Sequence, residues 1–159
     1  MKFYAGIGSR ETPPEICAEM AVRAMRLAID GYCLRSGAAY GADTAFEAGS
    51  HMESGATEIY LPWQGYNGHK SLFYPPSLAA FEMAAKFHPA WSRCSASARC
   101  LHARNCHIVL GANLKTPVEF VLFWTKDGKA SGGTGQALRI AEHYGIPTEC
   151  INLPHLTDS

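Results

Sequence analysis

The sequence predicts a single α/β domain over residues 1–159, a mostly parallel sheet with helices on both faces. Three observations carry this. Short apolar runs alternate with segments of helical periodicity, in the order strand, helix, strand, helix, strand. The first helical segments sit between consecutive strands as crossover connections, and right-handed crossovers put helices on both faces of a sheet. A later run, "VEFVLFW", is almost wholly apolar, as a strand buried on both faces is.

Each element is read from local signals. "FYAGI" is a short buried strand. In "TPPE", Thr12 fits an N-cap, Pro13 the first helical position and Glu15 the third position of a capping box. Ile16, Met20, Ala24, Leu27 and Ala28 follow at helical spacing, and Gly31 ends the run. "YCLRS" is the second strand, "GADTAFEAG" opens the second helix, and "TEIYLP" is the third strand. Residues 63–76, rich in glycine, asparagine, proline and aromatics, read as an ordered loop. Helices are expected over Pro76 to Phe87 and Ala90 to Ala103, then strands at "CHIVLG" and "VEFVLFW". The last helix runs from Thr134 to Tyr144, with Gly145 as its cap and Pro147 blocking continuation, before a final strand "TECINL". There is no internal repeat, low-complexity tract or linker.

Composition narrows the function classes. The apolar share is 47%, enough for a full core, and charged residues make up only 18%. Lys plus Arg and Asp plus Glu are equal at 14 each, for zero formal charge. That argues against broad electrostatic attachment to DNA, RNA or anionic membrane, and leaves room for a local basic pocket. No run approaches a membrane span. Six cysteines with no preceding leader read as reduced thiols of a cytoplasmic protein. Cys94, Cys100 and Cys106 are spaced by six, with no C-x-x-C or H-x-x-x-H, so no metal site is expected and no cofactor is implied.

Ligands of open parallel sheets bind at the carboxyl ends of the strands. After the first strand, Gly6 and Gly8 let the backbone approach a ligand, while Ser9 and Arg10 supply a hydroxyl and a guanidinium for phosphate. After the second come Ser36, Gly37 and small residues leading to Asp43, which suits a helix cap or a carboxylate acting on ribose. Glu47, one turn on, faces solvent or points back into the cleft. Trp63, Tyr66 and Phe73 pack the loop after the third strand or stack on a base, and His69 and Lys70 are solvated. His102 and Arg104 are candidates to face the cleft. After the apolar strand, Thr125, Ser131, Gly132, Gly133, Thr134, Gly135 and Gln136 offer hydroxyls and amides where a helix dipole favours an anion. The spacing is not that of a P-loop, so triphosphate–magnesium chemistry is not implied. Three small-residue loops at one sheet edge point to a nucleotide or other phosphorylated ligand.

Across nearly the whole chain, "YAGIGSRETP", "LRSGAAYGADTAFEAG", "EIYLPW", "HPAWSRCSASARCLHARN" and "GGTGQALRIAEHYGIP" resemble the SLOG superfamily, which groups the DNA-processing DprA fold with the Lonely Guy (LOG) fold. The similarity is greatest to small DprA-like or YspA-like members of phage and bacteria. The resemblance implies a Rossmann-like sheet, a nucleotide-type ligand and a homodimer or higher oligomer. LOG enzymes cleave the N-glycosidic bond of nucleoside monophosphates, using an arginine and a Pro-Gly-Gly-x-Gly-Thr-x-x-Glu loop. Arg104 is similar to that arginine, and Gly132, Gly133 and Gly135 match the glycines. Ser131 stands for the proline, Gln136 for the threonine and Arg139 for the glutamate. Hydrolysis of that kind would then need Asp43, Glu47 or Glu11 as its carboxylate, with Arg104 holding phosphate or ribose. The alternatives are a nucleotide sensor without turnover and a DprA-like single-stranded DNA-binding accessory, against which zero net charge weighs.

Overall fold

A computed structural model describes residues 1–153 and has five parallel strands and five α-helices; the last six positions of the expected domain, 154–159, lie outside the described residues. The strands are β1 (Lys2–Gly6), β2 (Tyr32–Ser36), β3 (Thr57–Ile59), β4 (Val121–Phe123) and β5 (Thr148–Cys150). The helices are α1 (Pro14–Ile29), α2 (Ala42–Met52), α3 (Leu78–Phe87), α4 (Ala96–Leu110) and α5 (Gly132–His143). All neighbouring strands pair in parallel, in the order β3-β2-β1-β4-β5. The chain winds outward from β1 to β3, then returns to pair β4 on the other side of β1. The β1/β4 junction is therefore the topological switch point, where the loops leaving two adjacent strands diverge and open a crevice.

Strand periodicity divides the core. On β4, Val121 and Phe123 join a cluster with buried residues of α3, α4 and α5, whereas Leu122 between them joins Tyr4 of β1 and Met20 and Phe46 of α1 and α2 on the opposite face. Helices thus cover both faces, as the sequence predicts.

Three local expectations need correction. "CHIVLG" is not a strand. Residues 96–110 form one helix, capped by the Ser95 hydroxyl, which accepts from the Ala98 amide at 3.2 Å. From Ala103 to Leu110 every residue is buried, Arg104, Asn105 and His107 included, so the run has no solvent-exposed face to betray its helical period. The helix expected from Ala90 is, in its first part, a single 3₁₀ turn at Trp91–Arg93. The capping box at Thr12 does not form. α1 begins at Pro14 with no side-chain cap, and the Thr12 hydroxyl instead donates to the Ser9 carbonyl at 2.5 Å.

Candidate functional site

The β1/β4 crevice is a cavity of about 630 Å³. Its floor and one wall come from the β1–α1 loop, Ile7 to Glu11. Gly8 is required there by packing: a Cβ would lie 2.6 Å from that of Ala42 and 3.2 Å from the Trp124 carbonyl oxygen. Ser9 lies in the same loop, its Oγ accepting from the Glu11 amide at 3.0 Å while the hydroxyl proton stays available. Arg10 reaches the rim exposed, and no carboxylate among the described residues pairs with it.

The opposite wall is the β4–α5 connection. Thr125, Lys126 and Ser131 to Thr134 line it. Ser131 is the N-cap residue of α5, yet its side chain makes no capping hydrogen bond. The first amides of the helix, at Gly132, Gly133 and Thr134, precede its first internal bond, Gly135 N–H to the Ser131 carbonyl at 2.8 Å. Unpaired N–H groups and the positive end of the helix dipole therefore face the cavity together. Asn105 of α4 fixes this end by donating through Nδ2 to the Gly133 carbonyl at 2.8 Å. Thr125 is buried and donates to the Lys129 carbonyl at 2.8 Å, so its hydroxyl shapes the loop.

The inner end holds two buried charges. Asp43 is 4% exposed, and its Oδ2 accepts from the amides of Gly37 (3.1 Å) and Ala39 (3.3 Å). It is thus the clamp of its own preceding loop. The N-cap residue of α2 is Gly41, so Asp43 lies inside the helix. Burial pushes its carboxyl up to about 6, against the opposing pull of the Arg104 charge and of the amides of Ala39, Gly37 and Gly8. Arg104, 5% exposed, donates from Nη1 to the carbonyls of Gly37 (2.5 Å) and Tyr60 (3.1 Å), and from Nε to Asn105 Oδ1 (2.9 Å). It ties α4 to the ends of β2 and β3. Gly37 fits between the two groups because it lacks a Cβ, which would sit 2.6 Å from Arg104 Nη1. Trp63 and Tyr66 complete the cavity, edge to face at 5.4 Å, with the Arg104 guanidinium 5.4 Å from the Tyr66 ring centre.

The structure thus brings together Gly8, Ser9, Arg10, Asp43, Arg104, Thr125 and Ser131 to Thr134 on one cavity. It does not bring Ser36, Gly37, Glu47, His102, Gly135 or Gln136 to its lining. Glu47 is engaged elsewhere. The amide of Ser71 donates to His69 Nδ1, so Nε2 carries the ring proton and donates to Glu47 Oε2 at 2.8 Å. His69 is thereby a tether for the 63–76 loop, not a solvated side chain. The Ser36 hydroxyl donates across the sheet to the Gly6 carbonyl at 2.5 Å. Gln136 is fully buried, donating to the Ala84 carbonyl (3.0 Å) and accepting from Arg139 (2.8 Å). One residue past the glycines the helix has turned its side chains from the cavity to the α3 interface. Arg139 follows Gln136 to that side and does not line the cavity. Phe73 packs on Tyr60 with ring centres 4.9 Å apart.

Two features escape sequence reading. Asn105 lines the cavity and braces α5 from one position beyond Arg104. The imidazoles of His88 and His102 and the thiol of Cys94 meet, with one ligand atom of each within 4.8 Å of the others. Their positions, 88, 94 and 102, match no common metal motif, because the chain reverses between α3 and α4 to unite them.

No family profile matches the sequence, and no curated protein matches it. Among solved structures the chain is similar to DNA processing protein A from Helicobacter pylori, at a TM-score of 0.61 and 18% identity. The similarity covers 96% of this chain and 66% of that one, so the chain spans just under two thirds of the other protein. That structure was described for its single-stranded DNA binding mode. At this identity the likeness is one of fold, and the chain has a DprA-like, Rossmann-like α/β architecture.

Proposed function

We propose that the β1/β4 cavity binds a nucleotide. Its phosphate would sit on the free amides and hydroxyls of Ser131 to Thr134, flanked by Arg10 and Lys126, with the base against Trp63 and Tyr66. The observation that carries this reading is the α5 N-terminus: an uncapped Ser131 and unpaired first-turn amides facing a cavity at the switch point of the sheet. The volume suits one nucleotide, and two exposed cations beside partly exposed aromatics suit a phosphate at one end and a ring at the other.

Turnover is a narrower proposal resting on Asp43. A carboxyl held near pH 6 beside the cavity has the affinity of a general acid or base. Its oxygen is already bonded to two amides, which favours a positioning role and hence binding without hydrolysis. Isothermal titration with a panel of nucleoside 5′-monophosphates tests the binding, and chromatography of the same mixtures for free base tests N-glycosidase activity. Binding with no released base supports a sensor or sequestering protein. Base release that Asp43→Asn abolishes establishes an enzyme. No heat with any nucleotide refutes the proposal.

A second reading has its own support. The fold similarity to DNA processing protein A favours single-stranded DNA as the ligand, its terminal nucleotide occupying the same cavity. Salt-dependent retardation of an oligonucleotide would support it, and an absence of retardation at low salt would remove it.

A further inference from the structure

We propose that His88, Cys94 and His102 form a zinc site on the α3–α4 side of the domain, separate from the nucleotide cavity. Three elements supply the donors. His88 follows the last residue of α3, Cys94 ends the 3₁₀ turn at Trp91–Arg93, and His102 lies in the second turn of α4. One ligand atom from each lies within 4.8 Å of the others, and Cys94 Sγ is 3.9 Å from His88 Nδ1 and 3.8 Å from Nε2. Tetrahedral zinc with ordinary Zn–S and Zn–N bonds separates such atoms by about 3.6 Å, so small side-chain adjustments close the site.

The second observation is independent of proximity. His102 Nδ1 is buried and has no hydrogen-bond partner. Buried imidazole nitrogens without partners are uncommon and call for an explanation, which a metal ion on the lone pair supplies. The His102 ring sits against that of His88, with centres 4.4 Å apart.

One thiolate and two imidazoles select zinc over magnesium or calcium, which prefer oxygen. Ligation through His88 Nδ1 gives up the bond it accepts from the Ala90 amide at 3.0 Å, and leaves Nε2–H as an outer donor. Three protein donors leave the fourth position to water or an anion.

The full chain, reduced and freed of metal by a chelator, is titrated with Co²⁺ as a spectroscopic stand-in and then with Zn²⁺ in competition. The expected result is one equivalent of Co²⁺ per chain with a thiolate-to-cobalt charge-transfer band, displaced by Zn²⁺. Cys94→Ser abolishes the band, and His102→Ala weakens binding by about an order of magnitude or more. Cys100→Ser, on the same helix but outside the cluster, retains both. Far-UV circular dichroism shows that each variant is folded. A folded wild-type chain giving no band, or a band that survives Cys94→Ser or is lost in Cys100→Ser, overturns the assignment. Nucleotide titration of the metal-free chain keeps this test distinct from that of the β1/β4 cavity.

Discussion

Two small-residue loops leave the same edge of the sheet and differ in what they keep spare. The β2–α2 loop is clamped by buried side chains of its own protein. Asp43 takes the amides of Gly37 and Ala39, Arg104 takes the Gly37 carbonyl, and Asn67 donates to the Ala38 carbonyl at 3.0 Å. The β4–α5 loop has its framework bonds, from Asn105 and within the turn at Thr125, but leaves its first helical amides and the Ser131 hydroxyl uncommitted. Glycine and serine content is similar in the two. In the first, buried or loop side chains hold Gly37, Ala38 and Ala39; in the second, no side chain caps the helix start that lines the cavity, which separates a built-in clamp from a binding seat.

That contrast can be broken by substitution. The β2–α2 loop and its clamp carry stability, so the largest loss is expected for Arg104→Ala. It strands the carbonyls of Gly37 and Tyr60 and leaves buried Asp43 without its nearby cation, costing about 3–5 kcal/mol in denaturant unfolding.

Asp43 comes next. Burial raises its carboxyl from 3.8 to about 6 in the folded protein. Between those values the folded chain holds a proton that the unfolded chain has released, so stability falls as pH rises through this window. The contribution is up to about 3 kcal/mol, and unfolding of Asp43→Asn followed from pH 4 to 7 should lose this slope. Gly37→Ala drives a methyl against Arg104 Nη1 and Asp43 Oδ2 and should cost about 1–3 kcal/mol. At the small end, Ser131→Ala should change stability by less than about 0.5 kcal/mol, because Ser131 caps nothing. Ser95→Ala, which removes a real cap, should cost about 1 kcal/mol. A Ser131→Ala loss as large as that of Ser95→Ala would erase the distinction between the loops.

Much of the fold was legible because strand and helix periods differ and each connection carries turn chemistry. The strands, their parallel pairing and helices on both faces all follow from that pattern. α4 does not read whole because its C-terminal half is enclosed on every side, so Arg104, Asn105 and His107 are buried with the apolar residues and mark no solvent face. At the site, the glycine loops were legible as backbone. The direction of side chains was not. Gln136 and Arg139 belong to a helix whose rotation carries them to the α3 side, and Glu47 is captured by His69 from a loop whose path no local signal fixes. Asp43 looked like a cap from spacing alone, since the choice between capping α2 and clamping the loop before it depends on where β2 ends. The His88–Cys94–His102 cluster was invisible because its ligands come from three elements joined only by the tertiary reversal between α3 and α4.

The proposed function requires that phosphate be held at the start of α5. The direct measurement is calorimetric titration of the protein with a nucleoside 5′-monophosphate and with the same nucleoside lacking phosphate, each repeated on Lys126→Ala. The nucleotide is expected to bind well above the nucleoside, and Lys126→Ala to weaken the nucleotide by about threefold to tenfold, the worth of one cation at a phosphate. No change is expected in the nucleoside or in the thermal midpoint. Equal affinity for nucleotide and nucleoside, or an unchanged nucleotide affinity in Lys126→Ala, would contradict the proposed function.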